Sequence, residues 1–154
     1  MSKRLYIAGA MRGHPEYNFP AFDAAASRLR AQGYEVVNPA EMSREVGVEN
    51  VESDPAVFNR LIAEELREVR ACDAIYLLQG WENSLGTRDE LEVAISHGLE
   101  IMLEPPQYHV KSIRCGLRSG KGVSVDSVKH AQIYQLADNQ SDRQELNHEQ
   151  TRNN

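Results

Sequence analysis

Four short apolar runs, Leu5–Ala8, Tyr34–Asn38, Asp73–Leu78 and Leu99–Leu103, alternate with stretches whose apolar residues recur at helical spacing. This alternation constrains the fold more than any other feature. Strand, helix of about 12 to 18 residues, then strand again is a βαβ crossover, and successive crossovers build a parallel sheet covered on both faces. The expected class is α/β. Helix boundaries are marked too. Pro20 suits a first helical turn, where its missing N–H has no partner to lose, and Phe22, Ala25, Ala26 and Leu29 follow on one face until Gly33. Asp54-Pro55 pairs an N-cap side chain with a first-turn proline, and Phe58, Leu61, Ile62, Leu66 and Val69 then form one apolar face as far as Ala71. Thr87–His97, closed by Gly98, is the third expected helix, whereas Ala40–Ser53 is polar and acidic and reads as a loop with room for a helical turn.

A chain of 154 residues suits one domain with a proper core. No run approaches the roughly 18 apolar residues of a membrane span, and no secretory leader is recognisable at the start. With 17 basic against 23 acidic side chains and a formal charge of −6, the chain lacks the basic face that a nucleic-acid polymer requires. Cys72 and Cys115 have no metal-ligand spacing, and a reducing cytoplasm is expected. The five histidines show no metal-type spacing either, so no metal is expected. Residues 107–136 are ambiguous and carry a basic run, Lys111, Arg114, Arg118 and Lys121. Beyond Ala137 the only apolar residue is Leu146, so that tail reads as disordered or loosely attached.

Ligands of open parallel α/β sheets bind beyond the carboxyl ends of the strands. Three polar stretches fall there and should converge: Gly9–Gly13, Asn38–Glu41 and Trp81–Glu90. The first reads either as an anion-wrapping loop, with backbone N–H groups and the Arg12 guanidinium as donors, or as a glycine turn with a surface arginine. It matches neither a P-loop nor the dinucleotide fingerprint. Thr87-x-x-Glu90 has the form of a capping box, with Glu90 reaching back to the Thr87 N–H. Alternatively Glu90 projects into the pocket from the first turn of a helix, where the ionised form that a nucleophile needs is favoured. Asp73 is either a solvated strand-edge acid or a partner for Glu90. There is no Gly-x-Ser-x-Gly elbow and no base placed beside either cysteine, which disfavours acyl transfer.

Several separated motifs, in order, resemble one family. They are Leu5-Tyr6-Ile7-Ala8-Gly9-Ala10-Met11-Arg12-Gly13, Asn18-Phe19-Pro20-Ala21-Phe22, Val37-Asn38-Pro39-Ala40-Glu41, Cys72-Asp73-Ala74-Ile75-Tyr76-Leu77-Leu78, Gly80-Trp81 and Ser84-x-Gly86-Thr87-x-x-Glu90-x-x-x-Ala94. Together they resemble small phage and prophage domains of the nucleoside 2-deoxyribosyltransferase-like superfamily, which includes nucleoside 5′-monophosphate N-glycosidases. The likeness covers about residues 4–104. It implies a flavodoxin-like or Rossmann-like three-layer sandwich with a parallel sheet of four or five strands over residues 1–104; the extension (105–136) and the polar tail (137–154) lie outside the likeness and are read from composition alone.

The resemblance also implies cleavage of a base–sugar bond without a metal or organic cofactor. Glu90 would be the nucleophile, and Asp73 would position substrate or help protonate the base. Tyr6 would line the pocket, Trp81 would stack on a base or pack in the core, and Gly9, Met11, Arg12, Gly13, Asn38 and Gly86 would complete the substrate site. The transferases place an acid where this chain has Ser84, and a serine beside Gly86 and a helix N-terminus, together with Arg12, would accept a phosphate that an acid would repel. This favours a (deoxy)nucleoside 5′-monophosphate substrate. Ala10 stands where the monophosphate glycosidases have a phosphate-binding serine, and Glu92 replaces a glycine, pointing about 200° away from Glu90 on a helix. Deoxyribosyl transfer and non-catalytic nucleotide sensing remain as alternatives. The superfamily further implies a homodimer or higher homo-oligomer.

Overall fold

The computed structural model describes residues 2–104, 112–113, 124–126 and 128. The chain divides into two units, Met1–Gly122 and Val123–Asn154. In the second unit the described residues carry one helical hydrogen bond, from the Val128 N–H to the Ser124 carbonyl. The expectations for the extension and the tail otherwise lie outside the described residues.

The first unit is built on a sheet of order β2-β1-β3-β4-β5. Strands β1 (Arg4–Ala8), β2 (Glu35–Val37), β3 (Ala74–Leu77) and β4 (Glu100–Leu103) run parallel. Strand β5 (Ser112–Ile113) joins β4 antiparallel, inside the stretch whose sequence pattern is ambiguous. Among the described residues of this unit, the sheet is accompanied by the α-helices α1 (Phe19–Ala31), α2 (Pro39–Val46), α3 (Val48–Ser53), α4 (Pro55–Arg70) and α5 (Leu85–Ser96). The architecture is the expected α/β sandwich with a parallel sheet. Among the described residues no helix is long and apolar enough to cross a membrane.

The strand alternation decides which side chains serve packing and which reach the site. Leu5 and Ile7 of β1 face one side and join Phe22, Ala26, Leu29, Ala40 and Tyr76 in a continuous core with α1 and α2. Tyr6, between them and fully buried, faces the opposite side, where α5 packs on β1, β3 and β4 and α4 packs on α5.

Two local expectations are corrected. Residues 40–53 are not a loop but the helices α2 and α3. The Asn38 side chain accepts from the Ala40 N–H at 3.0 Å and Pro39 takes the first turn, the same device as Asp54-Pro55. Gly47, at φ +86°, permits the break between the two helices. The second correction concerns α5, which begins at Leu85 with Ser84 as its cap.

Candidate active site

The order β2-β1-β3 makes the carboxyl ends of β1 and β3 the switch point of the sheet, because the chain leaves these neighbouring strands in opposite directions. A cavity of about 530 Å³ opens in this region. The loop after β1 supplies Gly9, Met11 and Arg12 to its wall, and the turn into α5 supplies Ser84, Gly86, Thr87 and Glu90. The apolar side comes from α3 and α4, including Val51, Phe58, Leu61 and Ile62. The volume falls in the range that takes small organic ligands.

Glu90 sits in the second turn of α5. Its Oε1 accepts from the hydroxyl of Tyr6 at 2.6 Å, and its Oε2 takes no hydrogen bond among the described residues. The capping-box reading therefore fails. Ser84 caps the helix by accepting from the Thr87 N–H at 3.2 Å, which makes Thr87 an inner residue and leaves Glu90 free to face the cavity. Burial, followed by the charge of Glu65, holds the Glu90 carboxyl well above its ordinary range, while the Tyr6 hydrogen bond acts in the opposite direction. Burial and the neighbouring Glu90 likewise push Tyr6 well up, so its hydroxyl stays protonated and donating.

A second carboxyl shares the cavity. Glu65 of α4 is only 7% exposed and is the one charged side chain in the buried set of the described residues. It lines the cavity and has no hydrogen-bond partner among the described residues. Burial raises it from 4.5 to about 7, opposed by the charge of Arg12. Sequence reasoning missed it. The signal was its position four residues from both Leu61 and Val69, on the apolar face of α4.

Arg12 has no carboxylate partner within ion-pair distance among the described residues, and its guanidinium lies 4.1 Å over the Phe58 ring. At the start of α5 the N–H groups of Leu85 and Gly86 have no partner within the helix. A Cβ at Gly86 would meet only the Ser84 hydroxyl, at 4.0 Å, and the buried Thr87 hydroxyl, also on the wall, has no hydrogen-bond partner among the described residues. Gly9 is required for another reason: a Cβ there would stand 3.0 Å from the Leu78 side chain.

Other expected site residues lie elsewhere. Asp73 opens β3 at the amino end of the sheet, the far end from the cavity, and its exposed carboxylate accepts from the Arg4 N–H at 2.8 Å. It cannot assist Glu90. Trp81 is fully buried and off the cavity wall, so it belongs to the core and does not stack on a ligand. Asn38 is a helix cap that also donates to Asp23, and its neighbour Pro39 reaches the wall instead. Gly13 lines a smaller neighbouring hollow with Arg12, Tyr17 and Glu52. Tyr6 does not line the cavity but acts on it through Glu90. Glu92 is exposed and outside the cavity wall. Cys72 is buried with its thiol pushed up to about 11, which leaves it inert. No cluster of metal-ligating side chains occurs among the described residues.

The family model for a domain of unknown function, DUF4406, matches residues 3–103. The chain belongs to this family. No curated protein matches it significantly. Among solved structures, the DUF4406 chain is similar to a 2-deoxyribosyltransferase from Bacillus psychrosaccharolyticus, at 22% identity and TM-score 0.50, over 65% of this chain and 70% of that one. It is also similar to a CMP N-glycosidase from Clostridium botulinum, at 24% identity and TM-score 0.42, over 70% and 75% of the two chains. A 2-deoxyribosyltransferase from Leishmania mexicana matches at 19% identity and TM-score 0.48, over 86% and 95%. The DUF4406 domain thus shares its fold with the Bacillus 2-deoxyribosyltransferase.

Proposed function

We propose that this chain is an N-glycosidase that cleaves the base–sugar bond of a (deoxy)nucleoside 5′-monophosphate, with Glu90 as the nucleophile. The observation that carries the reading is the Glu90 carboxyl itself. It lies on the cavity wall, fixed through one oxygen by the Tyr6 hydroxyl at 2.6 Å, with the other oxygen open. A carboxylate so held can attack the anomeric carbon, displace the base and form a glycosyl ester that water then opens. Tyr6 orients the attacking group, and the positive charge that develops on the sugar ring favours the ionised form of Glu90.

The 5′-phosphate is assigned to Arg12, the open N–H groups of Leu85 and Gly86, and the Ser84 hydroxyl. As a helix cap Ser84 only accepts, so its proton is free to be donated to a phosphate oxygen. An anion gains from both the guanidinium and the α5 dipole. Phe58 and the aliphatic residues of α3 and α4 offer the base an apolar wall.

The test is incubation of the purified protein with ribo- and deoxynucleoside 5′-monophosphates and their nucleosides, with released base followed by chromatography. Free base from monophosphates, abolished in Glu90→Gln, is the expected result. A new nucleoside on addition of an acceptor base would reassign the chain to deoxyribosyl transfer, which breaks the same bond. Ligand-induced thermal stabilisation with no base released from any compound would identify a sensor and refute the enzyme.

A further inference from the structure

A carboxyl with no ion pair and no hydrogen bond, nine-tenths removed from water, is an unusual thing to keep. Leu or Met in its place would fill the α4 face at lower energetic cost, because an uncompensated buried charge is strongly destabilising. Among the described residues Glu65 is such a group, and it lines the same cavity as Glu90. Several titratable or charged groups face it or share its cavity. Arg12 comes from the loop after β1, Tyr6 from β1, Asp89 and Glu90 from α5, and Glu52 from α3. Of these only Arg12 favours a charged Glu65.

We infer that Glu65 is the acid that protonates the departing base and the base that activates the water in the second step. This role rests on the reading of Glu90 as nucleophile. In the first step the Glu90 Oε2 bonds to C1′ as the C1′–N bond breaks. The bonding pair leaves with the base, which takes the Glu65 proton, leaving a glycosyl ester on Glu90 and a carboxylate on Glu65. In the second step that carboxylate takes a proton from water while the water oxygen bonds to C1′ and the ester C1′–O bond breaks. The sugar phosphate departs with its configuration retained, Glu90 is a carboxylate again and Glu65 an acid. Burial, which keeps Glu65 protonated up to about pH 7, supplies the donor form at neutral pH. Asp73, at the other end of the sheet, cannot serve.

The experiment compares wild type, Glu65→Gln and Glu90→Gln on the best ordinary monophosphate substrate and on 7-methylguanosine 5′-monophosphate. The cationic base of the latter leaves as a neutral molecule without an added proton. In kcat/KM, which reports only the steps up to the glycosyl ester, Glu65→Gln is expected to lose about a hundredfold or more on the ordinary substrate and less than about tenfold on the cationic one. Glu90→Gln is expected to fail on both. A wild-type comparison needs no variant to fold: kcat/KM for the ordinary base, relative to that for nicotinamide mononucleotide, whose fixed pyridinium has no proton to lose, should fall as pH rises through about 7. Equal losses on the two substrates, a Glu65→Gln enzyme within tenfold of wild type on the ordinary one, or identical pH profiles would overturn the role of Glu65 and leave Glu90 standing. A wild type that releases no base from any monophosphate would fell the Glu90 reading first, and this inference with it.

Discussion

At the amino end of the sheet, Arg4 pairs with Glu35 at 3.0 Å and Glu68 at 2.8 Å, its backbone N–H donates to Asp73, and Lys3 pairs with Glu100. At the carboxyl end, among the described residues, Arg12 has no carboxylate partner, Glu65 has no hydrogen bond, and Glu90 uses only one oxygen. The first set of charges is satisfied within the protein, at the surface, where such pairs contribute modestly to stability. The second set is desolvated and left open, which costs stability and stores reactivity. Ordinary acidic and basic side chains have thus been given opposite tasks at the two ends of one sheet.

The sharpest way to break this contrast is to remove the open carboxylate. Glu90→Gln should lower kcat by about a thousandfold or more while nucleotide still stabilises the fold, as single-turnover kinetics and thermal shift would show. Next comes stability. The Glu65 carboxyl is raised in the folded state, so the native protein holds this proton more tightly than the unfolded chain does. Stability is therefore complete below pH 4.5 and is lost as pH rises to about 7. The displacement is worth on the order of 3 kcal/mol, so Glu65→Gln should be more stable than wild type by up to about that amount at pH 8 and no more stable at pH 4. Urea unfolding at the two pH values checks it. A variant less stable at pH 8 would mean that Glu65 has a partner in the folded protein.

Smaller effects test the rest of the comparison. Arg12→Ala should raise KM for monophosphates by about ten- to a hundredfold and leave the corresponding nucleosides nearly unaffected, if the guanidinium holds the phosphate. An equal change for both would place Arg12 elsewhere in binding. Asp73→Ala should leave kcat within about twofold and cost about 1 kcal/mol or less, because only an exposed hydrogen bond to the Arg4 N–H is lost. A large loss of kcat with the fold intact would contradict its exclusion from the site.

Much of the fold was legible because four apolar runs and two first-turn prolines, Pro20 and Pro55, survive as strands and helices in the expected order. The missed helices, α2 and α3, carry the same Asn-Pro or glycine punctuation, but their polar composition hid it. The site was legible in part. Glu90, Arg12, Ser84 and Gly86 reach the cavity from the two loops where strand polarity places them. Asp73 was brought in by the family resemblance and not by this rule, under which the residue that opens a parallel strand lies at the end away from the cavity. The capping box slipped by three residues, since Ser84 and Thr87 offer two overlapping registers and only the observed hydrogen bond chooses between them. Glu65 was passed over because hydrophobic periodicity counts a glutamate as an interruption of a face, not as a member of it.

The most direct test of the account is to quench wild type during turnover of its best monophosphate and map any covalent adduct by mass spectrometry. A sugar-phosphate ester on the peptide carrying Glu90, with a product of retained configuration, is the predicted result. Inverted configuration, or an ester on any other side chain, would show that the open carboxylate of Glu90 is not the nucleophile.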